Sequence, residues 1–345
     1  MLLRLVSILS CLLVAAPQQQ RANSPAHDQV PPAGAGGKVQ VFVLLGQSNM
    51  LGFGKVGAAD QPGSLVHAVE EEGLYPFLVD EAGAWTERRD VRNVRVMAQR
   101  GAMKVFHNEW MKVSGAKIGP ELGIGHRLGD RLDAPVLILK SCIGNRSLGW
   151  DLLPPGSERF TRDGKVYAGY KDSPDVWDEG SEPEPIAWYA GKQYDDDVAN
   201  AKTVLAELRT YFPGAGGYEV AGFFWWQGAK DCGNAAHAER YEQNLVRLID
   251  QLRADFEAPE ARFVCATLGH VPKDAEGNEG WVLRGQLAVD GEAGKYPRFA
   301  GNVASVYAHP LCHGGTANGH YGGNAKTYMD VGLAMGAAMV GLLGP

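Results

Sequence analysis

The chain has 345 residues, a formal net charge of −7, 45% hydrophobic residues and 21% charged residues. This is the composition of a globular protein and excludes a collagen-like or wholly disordered chain. The 33 Lys and Arg residues are outnumbered by 40 Asp and Glu, and they form no basic run, so we expect no nucleic-acid partner. The length allows one large domain or two ordinary ones.

The N-terminal segment differs in character from the rest. Arg4 is followed by an apolar run from Leu5 to Ala16, which is the pattern of a signal peptide and is too short to span a membrane. We therefore predict a signal peptide over residues 1–22 and a secreted or periplasmic protein. Residues 23–37 are rich in Gln, Pro, Ala and Gly, which predicts a disordered linker. No other apolar run is long enough to cross a bilayer, so we predict no integral membrane segment in the mature chain.

Residues 38–345 are predicted to form one domain of alternating strands and helices. Short apolar, β-rich runs predict five strands, at 39–45, 135–140, 218–226, 262–268 and 302–307. Helical periodicity covers 120–132, 196–211, 236–256 and 324–343. This alternation predicts a three-layer α/β/α sandwich with a central, mainly parallel five-stranded sheet. Long loops follow the first two strands, at 53–118 and 145–194.

Small and polar residues follow three of the predicted strands. They are Gly46 to Asn49, Gly144 with Asn145, and Gln227 with Gly228. In open α/β sheets, ligands bind beyond the carboxyl ends of the strands, so these residues mark the expected active site. A serine on a strand-to-helix turn can project its hydroxyl into such a cleft. Taken alone, Ser48 is as well explained as a helix N-cap.

With these motifs the sequence resembles the SGNH (GDSL-like) hydrolase superfamily, in its sialate O-acetylesterase-like and acetylxylan-esterase-like branch of carbohydrate esterases. That branch carries G-Q-S-N-M after the first strand, W-x-Q-G further on, and a late histidine before the last helix. The counterparts here are Gly46 to Met50, Trp225 to Gly228, and His320. The resemblance implies a flavodoxin-like fold and a serine esterase that removes O-acetyl groups from an acetylated carbohydrate. It implies no cofactor.

The resemblance also implies the roles of individual residues. Ser48 is the nucleophile and His320 its base. The oxyanion hole consists of the backbone N–H groups of Ser48 and Gly144 and the side-chain N–H of Gln227, because a tetrahedral intermediate places negative charge on the former carbonyl oxygen. Two alternatives stay open. Gln227 could instead tie two loops together, and His309 or His313 could replace His320.

The sequence departs from the family at one position. Ala317 stands three residues before His320, where the family usually has Asp. We predict that Asp231 orients His320 instead; Glu121 and a backbone carbonyl are alternatives. Asp231 could also merely cap the following helix. The missing acid favours a second function, that of a non-catalytic carbohydrate-binding protein on a decayed esterase fold.

Four cysteines follow the predicted signal peptide, and none has metal-type spacing, so we predict no metal site. An exported protein can oxidise its thiols. We predict a disulfide between Cys232 and Cys312, because each lies close in sequence to a site residue; two free thiols are the alternative. The aromatic residues of the 145–194 loop could pack against sugar rings or form a small core of their own.

Overall fold

The computed structural model describes residues 37–344. The predicted signal peptide, and the predicted linker up to residue 36, lie outside the described residues. The strands are β1 (Lys38–Gly46), β2 (Gly54–Lys55), β3 (Arg88–Gln99), β4 (Ala102–Met111), β5 (Lys117–Ile118), β6 (Val136–Ser141), β7 (Phe160–Arg162), β8 (Lys165–Tyr167), β9 (Val176–Asp178), β10 (Gly217–Trp226), β11 (Arg262–Ala266) and β12 (Val303–Val306). The helices are α1 (Ser48–Leu51), α2 (Leu65–Glu70), α3 (Glu121–Arg131), α4 (Lys192–Ala206), α5 (Leu208–Tyr211), α6 (Ala235–Asp255), α7 (Gly277–Ala288) and α8 (Ala325–Leu343).

The central sheet has the strand order β12-β11-β10-β1-β6-β3-β4. All neighbouring strands are parallel except β3 and β4, which are antiparallel. The predicted α/β fold with a mainly parallel sheet flanked by helices is therefore confirmed. The five predicted strands correspond to β1, β6, β10, β11 and β12.

The sheet has seven strands rather than the predicted five. The two additional strands, β3 and β4, lie in residues 53–118, which were predicted as a loop. Buried valines alternate on β3 with arginines and other polar residues, as at Val91, Arg92, Val94 and Arg95. The other strands were identified as continuous apolar runs, and an edge hairpin that is half polar lacks that signal.

The second long segment, residues 145–194, also contains regular structure. Its strands β7, β8 and β9 form a small antiparallel sheet. Leu153, Ala168 and Ala190 form a separate small core there, against which Trp150 and Trp177 pack. Part of the aromatic content of this segment therefore stabilises the segment itself.

Helices cover both faces of the sheet. All six residues of β6 are buried, and successive side chains of a strand point to opposite faces, so neither face is open to solvent. Helix α3 packs against α8, α6 against α7, and α4 against β3 and β6. Asn234 and Asn324 accept backbone N–H groups at the start of α6 and α8, as N-cap residues do. None of the helices within residues 37–344 is long and apolar enough to cross a membrane.

Strand order determines which residues meet at the carboxyl edge of the sheet. Strand β1 lies between β10 and β6. The residues that follow these three strands, Ser48 after β1, Gly144 after β6 and Gln227 after β10, are therefore neighbours although they are far apart in sequence.

Candidate active site

The turn that carries Ser48 begins with a glycine that no other residue can replace without strain. Gly46 ends β1 with φ +143°, and a Cβ atom there would lie 2.4 Å from the carbonyl oxygen of Trp226 on β10. The close approach lets Ser48 begin α1 directly beyond the strand. Ser48 is 8% exposed, and its hydroxyl has no hydrogen-bond partner among the described residues. A reacting group could therefore bind to it.

Gln47 joins the serine turn to the loop that follows β10. Its side chain is 4% exposed. Gln47 Oε1 lies 3.3 Å from Gln227 Nε2 and accepts weak hydrogen bonds from the backbone N–H groups of Gly228, at 3.4 Å, and Lys230, at 3.3 Å. Gln47 belongs to the G-Q-S-N-M motif, but the motif itself did not indicate this bridging role.

Asn49, on the other side of Ser48, reaches the histidine loop. Its Nδ2 donates to the carbonyl oxygen of Ala317 at 3.3 Å, and its Oδ1 accepts from the Tyr328 hydroxyl at 3.2 Å. The same hydroxyl lies 3.4 Å from the carbonyl oxygen of His320. Asn49 and Tyr328 therefore connect the predicted nucleophile to the predicted base, a role that the sequence pattern did not indicate.

Gly144 lies beside Ser48, as predicted. A Cβ atom on Gly144 would be 3.4 Å from the Cβ of Ser48. Among the described residues, neither the backbone N–H of Gly144 nor that of Ser48 has a hydrogen-bond acceptor. Both groups are thus free to donate to a negatively charged oxygen that develops near the serine.

Gln227 has no free N–H for the predicted oxyanion role. Its Nε2 donates to the carbonyl oxygen of Arg146 at 2.8 Å and to Asp231 Oδ2 at 2.6 Å, which occupies both protons of the amide. Its Oε1 accepts from the Tyr241 hydroxyl at 3.0 Å. A flipped amide would place Oε1 against a carbonyl and a carboxylate oxygen, so this orientation is fixed. Gln227 ties two loops together, which is the alternative that the sequence left open.

Asp231 does not orient His320, so that prediction is wrong. Its side chain is fully buried, and it accepts the backbone N–H groups of Leu148 at 2.9 Å and Gly149 at 2.8 Å in addition to Gln227 Nε2. Burial raises the pKa of Asp231, while the nearby His237 and the hydrogen bonds oppose that rise. Asp231 holds the loop that carries Gly144. It does not cap α6 either, because Asn234 does so.

The His320 imidazole stacks on an aromatic ring instead of pairing with an acid. Its ring centroid lies 4.0 Å from that of Phe53, with an interplanar angle of 6°. Lys117 Nζ lies 4.4 Å from the centroid of Phe53. Within residues 37–344 no carboxylate forms an ion pair with His320. Burial and the positive charge of Lys117 lower the pKa of His320, which favours the neutral imidazole that a general base requires.

The backbone at His320 is strained and held from both sides. His320 and Tyr321 have φ values of 51° and 50°, in the left-handed region that costs a non-glycine residue about 1–2 kcal/mol. Tyr321 is buried, stacks on Trp226 at 5.8 Å, and accepts the N–H of Gly269 at 3.0 Å. This packing fixes the direction in which His320 leaves the loop.

The other candidate residues are engaged elsewhere. Glu121 forms a buried ion pair with Lys140 at 2.5 Å, and Lys140 also donates to the Leu51 carbonyl at 3.0 Å. His309 Nδ1 contacts the carbonyl of Gly269 at 3.2 Å. Within residues 37–344, neither Glu121 nor His309 forms a hydrogen bond or an ion pair with Ser48 or with the His320 ring.

All four cysteines of the described residues are free, so the predicted disulfide between Cys232 and Cys312 is absent. The two thiols have different neighbours: Cys232 donates to the Gly228 carbonyl at 3.4 Å, whereas Cys312 packs against Gly269. Burial raises the pKa of each thiol to about 12. Residues 37–344 contain no cluster of three or more His, Cys, Asp or Glu able to hold a metal.

Comparison with known proteins agrees with the motifs. Residues 175–339 match the family of carbohydrate esterases described as sialic acid-specific acetylesterase. This match confirms the resemblance that the sequence motifs indicated. No curated protein matches the chain significantly.

Several solved structures are similar to this chain at low sequence identity. A protein from Arabidopsis thaliana is 18% identical, with 90% of this chain and 98% of that chain covered and a TM-score of 0.48. A carbohydrate acetylesterase from Xanthomonas citri is 15% identical, with coverages of 87% and 56% and a TM-score of 0.47. The structure of NanS is 13% identical, with coverages of 81% and 78% and a TM-score of 0.43.

Proposed function

We propose that this protein is a serine esterase that removes O-acetyl groups from a carbohydrate through an acyl-serine intermediate. The observation that carries the proposal is the position of Ser48, whose side chain faces Gly144 and whose hydroxyl and backbone N–H both lack hydrogen-bond partners among the described residues. The match to a family of carbohydrate esterases supports the substrate class.

The reaction proceeds in two halves. Ser48 Oγ attacks the acetyl carbonyl as its proton passes to His320, and the N–H groups of Ser48 and Gly144 stabilise the oxyanion. The bond between the acetyl carbon and the sugar oxygen then breaks, and His320 returns the proton to that oxygen. Water, deprotonated by His320, attacks the acetyl-serine and releases acetate.

In the described part of the chain no carboxylate pairs with His320, so the base acts without one. Because burial and Lys117 lower the pKa of His320, the imidazole is neutral at neutral pH and can accept the proton. The imidazolium that forms lies on the face of Phe53, and an aromatic face attracts a cation by about 0.5–2 kcal/mol. Phe53 also keeps the ring plane fixed, which is part of what an orienting acid does in a triad.

Arg146 and Trp188 are the side chains that we assign to the sugar. Arg146 belongs to the loop that begins with Gly144, and its guanidinium lies 4.7 Å from the Trp188 ring centroid. Both side chains are partly exposed. A cation above an aromatic plane, with the cation on the loop that begins with Gly144, suits a ring that carries hydroxyl groups and an apolar face.

Acetate release tests the proposal directly. The wild type should release acetate from at least one of acetylated xylan, O-acetylated sialic acid and p-nitrophenyl acetate. Ser48→Ala should release none, whereas Ser181→Ala, which changes an exposed serine, should match the wild type. Full turnover by Ser48→Ala would refute the assignment of the nucleophile.

Within residues 37–344 no acid pairs with His320, and this favours a second candidate, a non-catalytic carbohydrate-binding protein. Binding of an acetylated oligosaccharide without any hydrolysis of it or of p-nitrophenyl acetate would establish this function instead. Export is part of the same proposal, since residues 1–22 predict a signal peptide. N-terminal sequencing of the protein recovered from the producing cells tests export.

A further inference from the structure

A cavity lies between α6 and the segment that follows Gly149. It has a volume of about 80 Å³, several times the roughly 10–15 Å³ that one water molecule requires. Helix α6 contributes one face to it, because His237, Arg240, Asn244 and Arg247 recur at helical spacing. We call it the α6 cavity.

The cavity contains polar groups that the protein leaves unsatisfied. Asn244 is 8% exposed, and its side-chain amide has no hydrogen-bond partner among the described residues. Ser157 lines the opposite wall, and its Oγ is buried without a partner. A buried hydroxyl without a partner costs about 1–3 kcal/mol, so the Ser157 hydroxyl is satisfied only when water or a polar ligand fills the cavity.

The cavity also carries uncompensated positive charge. Arg247 forms no ion pair within residues 37–344, and its Nη1 lies against Gly156, where a Cβ would be only 2.9 Å away. Arg240 stacks on Phe160 and bonds to the neutral Gln243. The other basic residues that line the cavity are paired with acidic residues.

Two further charged groups are paired with acids from outside the lining. Arg159 pairs with Asp172, and His237 lies 3.2 Å from Asp175. Glu158 is the acidic lining residue, and it is exposed. Two arginines therefore face the cavity with at most one opposing carboxylate.

We propose that the α6 cavity binds a small oxyanion, either the carboxylate of a sugar acid or an inorganic anion such as sulfate or phosphate. Arginine donates paired hydrogen bonds to such groups, and the Asn244 amide and Ser157 hydroxyl complete the shell. Asp231 accepts the N–H of Gly149, which lines the cavity. The cavity therefore lies behind the loop that holds Gly144. The proposal does not depend on esterase activity.

Calorimetric titration at constant ionic strength, with sodium sulfate and with sodium glucuronate, tests this site. We expect saturable binding to the wild type, at least tenfold weaker binding to Arg247→Gln, and unchanged binding to Arg209→Gln, because a charge-assisted hydrogen bond is worth a factor of this order. Arg209 is an exposed arginine outside the cavity. Tighter binding of glucuronate identifies a sugar carboxylate as the ligand; binding of sulfate alone identifies an inorganic anion.

Three outcomes overturn the proposal: no saturable binding of either anion, wild-type affinity in Arg247→Gln, or equal weakening in Arg209→Gln. Arg240→Gln provides a second test of the same cavity. Titration of Ser48→Ala separates this site from the proposed active site, since the variant should bind the anions like the wild type.

Discussion

The substitution Asp231→Asn distinguishes between two roles that a buried carboxylate beside an active site can have. One role is to hold a loop, and the other is to orient the histidine. In the structure Asp231 accepts two backbone N–H groups and the amide of Gln227, and its side chain is fully buried. The change should therefore destabilise the loop that carries Gly144 and leave the titration of His320 unchanged.

The contacts of Asp231 set the size of the effect. Asn keeps one oxygen, which can still accept from Gly149, but places an NH₂ group where Oδ2 accepted from Leu148 and Gln227. Two buried donors lose their acceptor, at about 1–3 kcal/mol each, so the loss of unfolding free energy is roughly 2–6 kcal/mol. For a domain of about 300 residues, with about 2.1 cal/mol/K of unfolding entropy per residue, this lowers Tm by roughly 3–9 °C.

Two measurements on the same variant test this reasoning. Thermal unfolding gives the loss of stability, and Asp250→Asn, at an exposed ion pair with Arg298, serves as the control with an expected change within about 1 kcal/mol. The pH profile of kcat/KM gives the pKa of the base. We expect a lower kcat in Asp231→Asn, because Gly144 loses its support, and an acid limb at the wild-type pH.

A shifted acid limb with unchanged Tm would refute the loop-holding role. That result would mean that Asp231 contacts His320 in the working enzyme, because a lost carboxylate lowers the pKa of the histidine it faces.

Three further variants follow from the same geometry. Lys117→Gln removes the positive charge that lowers the pKa of His320, so the acid limb of kcat/KM should move to higher pH, and a limb that stays or moves to lower pH would contradict this. Phe53→Leu loses the ring stack, worth about 0.5–1.5 kcal/mol, and should lower kcat roughly twofold to tenfold with little change in Tm; unchanged kcat would remove Phe53 from the mechanism. Lys140→Met leaves Glu121 buried without its partner and should lower the free energy of unfolding by about 3–5 kcal/mol. Chemical denaturation should show that the double variant Lys140→Met with Glu121→Gln regains part of this free energy.

The strands and helices that bury apolar faces were predictable, because continuous apolar runs and helical periodicity are local properties of a sequence. Helices α3, α6 and α8 begin and end within two residues of the predicted bounds. The hairpin of β3 and β4 was missed because both strands are partly polar, β3 through its arginines and β4 through residues such as Lys104 and Glu109. Burial of such strands depends on what packs against them, and no local pattern encodes that.

The position of Ser48 beside Gly144 follows from the strand order, which places β1 next to β6. The partners of Gln227 and Asp231 could not be predicted in this way. Both residues lie at the predicted edge, but a difference of a few ångströms decides whether a side chain faces the cleft or the loop behind it. Phe53 carries no sequence signal, because its role arises from the direction in which His320 leaves a left-handed turn.

Covalent labelling of Ser48 tests the central claim most directly. The wild type should react with a fluorophosphonate probe to give one adduct by intact mass, and peptide mapping should place it on Ser48. Ser48→Ala should give no adduct, and His320→Ala should react far more slowly because the hydroxyl lacks its base. An adduct on another serine, or equal labelling of Ser48→Ala, would contradict the assignment of Ser48 as the nucleophile.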